Sequence, residues 1–247
     1  MQSNTIGGDT AITYLGHATA LIETPRGKRL LIDPWTIHNP ACPFEYKTIA
    51  SLGAIDLVLI THIHEDHVGD AVEILKANTG AFTVCVPEVA GWLQSKGITN
   101  LYPMNIGGSF RPAGTEIVIS MTQALHTSSF TEHDGTVVHG GVPVGFVIEM
   151  ENGFTVYAAG DTGLFGDMAL IKEVYRPDLA LLPIGDNYTM GPRTAAVAVR
   201  LLGVKYVLPI HYATFPVLTG TPEALRECLS DQIEVQVLAI APGDTVK

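Results

Sequence analysis

Residues 61–67 read T-H-I-H-E-D-H, and the interpretation of the whole chain starts from this heptad. Three imidazoles and one carboxylate lie within six residues: His62, His64, Asp66 and His67. Side chains two residues apart in extended chain point the same way, so His62 and His64 can reach one cation together. The turn that follows can direct Asp66 and His67 towards a second cation. Imidazole nitrogen and carboxylate oxygen are ligands of divalent metals, which favours a metal site over a surface cluster of histidines.

The flanking sequence predicts where the heptad lies in the fold. The apolar run 55–60 before it is typical of a buried strand. Gly69 and Asp70 after it open a helical pattern over 71–77. The heptad is therefore expected on a strand-to-helix loop at the carboxyl end of a buried strand, where α/β proteins place functional sites.

Length and composition limit the fold and the compartment. The chain has 247 residues, 47% hydrophobic and 16% charged, with no linker or low-complexity run, and we expect one domain over residues 1–247. No apolar stretch approaches the roughly 20 residues of a membrane helix, and no signal peptide is evident. The three cysteines, Cys42, Cys85 and Cys228, form neither a disulfide framework nor a CxxC motif. We expect a cytoplasmic protein that does not insert into membranes.

The charge balance bears on partners. The formal net charge is −11, and the fourteen lysines and arginines are scattered. A polyanion would be repelled by this field, although bound cations could reverse its sign locally. A nucleic-acid partner is therefore less favoured than a small molecule but is not excluded, and homo-oligomer formation stays open.

Strand and helix patterns follow one another along the chain. Strands are predicted near 11–15, 18–22, 29–33, 55–60, 82–86, 116–122, 144–150, 154–159, 179–184, 205–210 and 235–240. Helices are predicted near 70–77, 88–96, 167–175, 193–202 and 222–229. Antiparallel pairs at the start, followed by βα units, predict two mixed sheets with helices outside.

Three further candidate ligands follow predicted strands. His126, Asp161 and His211 each come shortly after an apolar strand pattern. Because these carboxyl ends can meet along one rim of a sheet pair, all three side chains can converge with the heptad.

The order of these motifs resembles the metallo-β-lactamase superfamily. Further strings are similar to a branch of metal-dependent hydrolases related to bacterial L-ascorbate 6-phosphate lactonase and, more distantly, to N-acyl phosphatidylethanolamine phospholipase D. These strings are Leu15-Gly-His-Ala-Thr19, Asp33-Pro34, Pro103-Met-Asn105, Gly160-Asp-Thr-Gly163, Leu164-Phe-Gly-Asp-Met168, Pro183-Ile-Gly-Asp-Asn187, Thr189-Met-Gly-Pro192 and Pro209-Ile-His-Tyr212. The resemblance extends from about Thr10 to about Leu218.

This resemblance implies an α/β fold, the αββα metallo-β-lactamase sandwich, with a dinuclear site at its edge. It assigns His62, His64 and His126 to a first metal, Asp66, His67 and His211 to a second, and Asp161 to a bridge between them. A water or hydroxide would lie between the metals. Zinc is the expected cation, although Mn, Fe, Co and Ni accept the same donors.

Other polar residues have weaker cases. His17, in the Gly-His string, and Asn187 and Arg193, near a predicted helix start, could contact substrate, and Asp33 could orient a ligand imidazole. The sequence does not decide whether four further side chains contact substrate: His38, His133, His139 and Tyr212.

The function expected from these features is metal-dependent hydrolysis of a small ester, lactone or phosphodiester. Asp66 would exchange protons with the attacking water or the leaving group, besides binding metal. The alternatives are a nuclease or phosphodiesterase acting on nucleic acid, a non-catalytic metal-binding module, and a di-iron redox protein. A complete ligand set argues against the second alternative, and the all-histidine first site argues against the third.

Overall fold

The computed structural model describes residues 6–247. Its described strands are β1 (Ala11–Gly16), β2 (Thr19–Glu23), β3 (Arg29–Ile32), β4 (Leu57–Leu59), β5 (Phe82–Cys85), β6 (Leu101–Pro103), β7 (Ser109–Phe110), β8 (Val118–Gln123), β9 (Ser129–Thr131), β10 (Val137–His139), β11 (Val144–Glu149), β12 (Thr155–Ala158), β13 (Leu179–Pro183), β14 (Tyr206–Ile210), β15 (Gln236–Val237) and β16 (Thr245–Val246). The helices are α1 (Ile49–Leu52), α2 (Glu65–Val68), α3 (Ala71–Ala77), α4 (Pro87–Ser95), α5 (Met168–Tyr175), α6 (Pro192–Leu202) and α7 (Pro222–Cys228).

Most of these strands form two mixed sheets. The first has the order β16-β1-β2-β3-β4-β5-β6, antiparallel from β16 to β3 and parallel from β3 to β6. The second has the order β15-β14-β13-β12-β11-β8-β7, parallel from β15 to β12 and antiparallel beyond. Strands β9 and β10 form a separate hairpin. In both sheets the parallel strands bring their carboxyl ends to one edge.

The two sheets share one hydrophobic core. Side chains alternate across a strand, so successive residues of β12 point to opposite faces. Val156 joins the cluster that also holds Ile12 and Leu30 of the first sheet, whereas Tyr157 joins a second cluster with Met168 of α5 and other helical residues. The layers are therefore helix, sheet, sheet and helix, which confirms the predicted αββα sandwich.

The predicted elements are present with shifted ends. The strand predicted over 235–240 is reduced to the two residues of β15, and the strand predicted over 55–60 covers only 57–59. Several short elements were not predicted, among them α1, α2 and the β9–β10 hairpin, because two to four residues carry no readable periodicity. In the described part of the chain, every helix is too short or too polar to cross a membrane.

Candidate metal centre

The heptad changes backbone conformation halfway along. Strand β4 ends before it, residues 60–64 continue without regular secondary structure, and α2 begins at Glu65. The amides of His67 and Val68 both donate to the carbonyl of His64 at 3.0 Å and close the first helical turn. Asp66 and His67 therefore belong to one set of donors, and His62 and His64 belong to another.

One set of donors surrounds His64. His62, His64 and His126, hereafter the three-histidine group, offer nitrogens that lie with a carboxylate oxygen of Asp161 within 4.8 Å of one another. His62 Nε2 is 2.9 Å and His126 Nε2 is 3.3 Å from His64 Nδ1. His62 is fully buried and the side chain of His126 is 11% exposed, so this group borders solvent on one side.

A second set lies beside it. Asp66, His67 and His211, hereafter the Asp66 group, form a compact set together with His17. Asp161 lies between the two groups, since its Oδ2 is 3.0 Å from His211 Nε2, 3.4 Å from His67 Nε2 and 3.5 Å from His126 Nε2. The structure therefore brings all seven predicted ligands together, with Asp161 near both groups.

Asp33 orients one imidazole in each group. It is buried at the end of β3 and accepts three hydrogen bonds of 2.8 Å, from the amide and hydroxyl of Thr61 and from Nδ1 of His67. The Thr61 hydroxyl lies 3.0 Å from His62 Nδ1 and can accept from it, because its own proton goes to Asp33. These contacts suit a proton on Nδ1 of both imidazoles, which would leave Nε2 to face a bound cation, the arrangement typical of metal-binding histidines.

His17 contacts the Asp66 group directly. It occupies the tight turn between β1 and β2 and its side chain is fully buried. Its Nε2 lies 2.9 Å from Asp66 Oδ2 and its Nδ1 lies 2.9 Å from the Thr214 hydroxyl. Burial lowers the pKa of His17 to about 4.

Burial and the carboxylates divide the imidazoles by basicity. Burial lowers the pKa of each member of the three-histidine group. Burial alone would also lower the pKa of His211, but the carboxylate of Asp161 outweighs it and raises this pKa to about 9. The pKa of His67 is raised against burial by Asp161 and Asp33. Without cations, the Asp66 group therefore holds protons that a bound cation would displace.

The carboxylates show the opposite shift. Burial alone would raise the pKa of Asp161, but the neighbouring His67 and His211 lower it well below its ordinary value. Burial likewise opposes ionisation of Asp66, yet the hydrogen bond from His17 and the nearby imidazole of His211 lower its pKa. Both carboxylates are therefore ionised and available to cations.

The donors fit two divalent cations. His67 Nε2 and Asp161 Oδ1 are buried and have no hydrogen-bond partner among the described residues. Buried polar atoms nearly always have a partner, so two such atoms in one cluster suit a site that binds a cation. A set of imidazoles and carboxylates matches the preferences of zinc and related metals.

The loops that carry these residues are held in unusual backbone conformations. His17, Asp33 and His211 have φ values of 56°, 46° and 54°, in the left-handed region that non-glycine residues seldom adopt. A Cβ atom at Gly185 would overlap the carbonyl oxygen of His211. Such strain is concentrated at functional sites, where surrounding contacts maintain it.

Several residues from the sequence analysis lie apart from the two groups. Asn187 and Arg193 are exposed and, within the described residues, form no hydrogen bond or ion pair with a predicted ligand. His38 lies 2.5 Å from the buried carboxylate of Asp70. His133 and His139 are exposed on the β9–β10 hairpin and its loop.

Tyr212, which the sequence left undecided, packs on Tyr14 with ring centroids 6.4 Å apart.

Three further residues that support the ligands were not identified from the sequence. These residues are Thr61, Thr214 and Gly185. Thr61 could have been found from its position beside His62, whereas the other two depend on contacts distant in sequence.

Comparison with known proteins identifies the family and the fold. The family model described as the beta-lactamase superfamily domain matches residues 28–212. A UPF0173 metal-dependent hydrolase of Rubrobacter xylanophilus is 48% identical, with 96% of each chain covered. One from Koribacter versatilis is 47% identical, with 95% of this chain and 96% of that protein covered. The structure of Igni18, a metallo hydrolase of Ignicoccus hospitalis, aligns with a TM-score of 0.83 at 38% identity, covering 96% of this chain and 97% of that one.

Proposed function

The chain belongs to the beta-lactamase superfamily and, within it, to the metal-dependent hydrolases, and on this premise we propose that it hydrolyses a small ester, lactone or phosphodiester with two bound divalent cations. The observation that carries the proposal is the convergence of the three-histidine group and the Asp66 group on Asp161. Four loops supply these donors, and each follows a different strand.

The two groups have different proposed roles. The three-histidine group would hold one cation and the Asp66 group the other, with Asp161 contributing to both. Zinc is the proposed metal, because imidazole and carboxylate donors suit it. Two cations held there would polarise the scissile group and bring the pKa of an attacking water towards 7.

Asp66 is the proposed proton carrier. Its side chain is 27% exposed, whereas that of Asp161 is 2% exposed, so substrate can approach the first carboxylate and not the second. The hydrogen bond from His17 occupies Oδ2. Oδ1 is therefore the oxygen that would accept a proton from the attacking water and return it to the leaving group.

The exposed side of the centre defines the proposed substrate entrance. His64 is partly exposed, and the Thr127 hydroxyl lies 3.3 Å from its Nε2. Leu125, 52% exposed, immediately precedes the ligand His126. An opening with one apolar and one hydroxyl side chain suits a small molecule. The chain's charge of −11 disfavours a polymer that needs an extended positive surface.

Metal analysis together with a substrate panel tests the proposal. The purified protein should contain two divalent ions per chain, and a chelator should abolish hydrolysis of simple lactones and bis(p-nitrophenyl) phosphate. His64→Ala should abolish turnover, and Asp66→Asn should reduce it strongly while the fold is retained. The exposed His133→Ala is the matched control and should behave as wild type.

Two results would contradict the proposal. An unchanged rate of hydrolysis in His64→Ala would show that the reaction does not depend on a cation held by the three-histidine group. Faster degradation of single-stranded DNA or RNA than of the small substrates, falling steeply with salt, would favour the nuclease alternative.

A further inference from the structure

Asp66 is held by residues that lie far from it in the chain, and we propose that His17 and Thr214 position the Asp66 carboxylate for binding of the second cation. The inference rests on the proposed function, because it concerns one of the two cation sites. It assigns His17 to positioning and not to direct ligation or substrate contact.

The position of His17 is fixed from several sides. Its carbonyl accepts hydrogen bonds from the amide of His211 at 2.7 Å and from the Tyr14 hydroxyl at 3.1 Å. Its ring packs edge-on against Trp35 and Phe215, with centroid distances of 5.2 and 5.6 Å. The turn between β1 and β2 therefore cannot move without disturbing the loop that carries a ligand.

Both ring nitrogens of His17 have partners. An ionised carboxylate can only accept, so Nε2 donates to Asp66 Oδ2 across 2.9 Å. Nδ1 lies 2.9 Å from the Thr214 hydroxyl, which also lies 3.3 Å from the Tyr212 carbonyl oxygen. Both ring nitrogens of His17 are thus engaged by protein groups, whereas His67 Nε2 has no hydrogen-bond partner among the described residues.

Asp66 needs this support because of where it lies. It belongs to α2, a helix of four residues, and its side chain borders solvent. His211 Nε2 is farther from the same oxygen, at 3.8 Å. Without His17, the carboxylate could rotate towards water. Binding of the cation would then have to order the side chain again, and this entropy cost would lower the affinity for the cation.

Cation affinity provides the test, with activity as a secondary readout. His17→Asn removes the ring, and asparagine tolerates the left-handed backbone at φ 56°. We expect the second cation to bind about 10- to 100-fold more weakly, the range typical for loss of an outer-shell partner, while the first binds normally. Cobalt titration followed by visible absorption distinguishes the two sites. His133→Asn, the same change on an exposed residue, is the matched control and should match wild type.

Thr214→Val keeps the His17 ring and removes only the hydroxyl. We expect about fivefold weaker binding of the second cation, as for the loss of one uncharged hydrogen bond. Because His17 acts through Asp66, adding His17→Asn to Asp66→Asn should weaken binding no further than Asp66→Asn alone. A general loss of structure caused by His17→Asn would instead weaken cation binding further in the double variant.

The outcomes separate this inference from the proposed function. Wild-type protein that binds fewer than two cations removes the premise of both. A wild type with two cations, together with unchanged second-site affinity in His17→Asn and Thr214→Val, overturns the positioning role alone. Additive losses in the double variant also overturn it, in favour of direct ligation by His17.

Discussion

Replacing Asp33 with asparagine is predicted to weaken both cation sites at once. Asp33 accepts from the amide and hydroxyl of Thr61 and from Nδ1 of His67, each at 2.8 Å. Asparagine has nearly the same shape and tolerates the left-handed backbone at φ 46°, so the fold should survive. Its amide, however, has one oxygen where the carboxylate has two.

Either orientation of the new amide creates a conflict. With the NH2 towards His67, the imidazole must carry its proton on Nε2, where it competes with the cation. With the NH2 towards the Thr61 amide, two donors face each other and the loop before His62 must shift. Losing at least one hydrogen bond to a charged group costs about 1.5–3 kcal/mol in the metal-free protein. That loss corresponds to a fall in Tm of roughly 3 to 12 °C for a chain of this size.

The assay is competition of the protein against a chromophoric chelator, combined with thermal denaturation of the metal-free form. We expect affinity for each cation to fall by about 10- to 100-fold. Asp56→Asn is the matched control, because Asp56 accepts from the amide of Arg29, which lies at the start of β3, whereas Asp33 lies at its end. It should lower stability without lowering cation affinity. Wild-type affinity for both cations in Asp33→Asn would refute the orienting role.

Three further predictions concern the backbone, pH and thiols. Gly185→Ala should displace the loop of His211 and reduce the cation content of the protein. Gly166→Ala is the control and should not reduce it, because the space around its Cβ position is open. Metal analysis after gel filtration measures the cation content of both variants. Cation binding to the Asp66 group should weaken as pH falls below about 9, because the raised pKa of His211 keeps a proton on the imidazole that the cation must displace. The three-histidine group should retain its affinity for a cation to lower pH, because the pKa of His62 is lowered. Titration with proton-release measurements checks this, and parallel weakening of both sites would contradict it. Burial raises the pKa of Cys42 to about 11 and that of Cys85 to about 12, so these thiols should react with Ellman's reagent only after unfolding; rapid reaction of more than one thiol in the folded chain would show otherwise.

The sequence was informative where a regular strand leads directly into a polar residue. The apolar runs before His62, Asp161 and His211 predicted both the strands and the convergence of these side chains, because parallel strands end at one edge of a sheet. The helix predicted near 193–202 is also present and begins at Pro192, since proline is favoured in the first turn.

The sequence was less informative where a contact joins distant segments. Nothing near His17 indicates that its ring meets Asp66, 49 residues later, and Thr214, 197 residues later. The predicted helix start near Arg193 likewise indicates that backbone N–H groups there can bind an anion. It does not indicate where the Arg193 side chain lies. These positions depend on how loops pack after the sheets have formed, which local patterns do not encode.

The distribution of the predicted ligands along the chain bears on when the centre can form during synthesis. His62 precedes His211 by roughly 150 residues. A ribosome adding ~5 to 20 residues per second needs about 7 to 30 s to cover that interval. Throughout that interval the nascent chain carries an incomplete donor set. The complete centre can therefore form only late in synthesis, after His211 has been added.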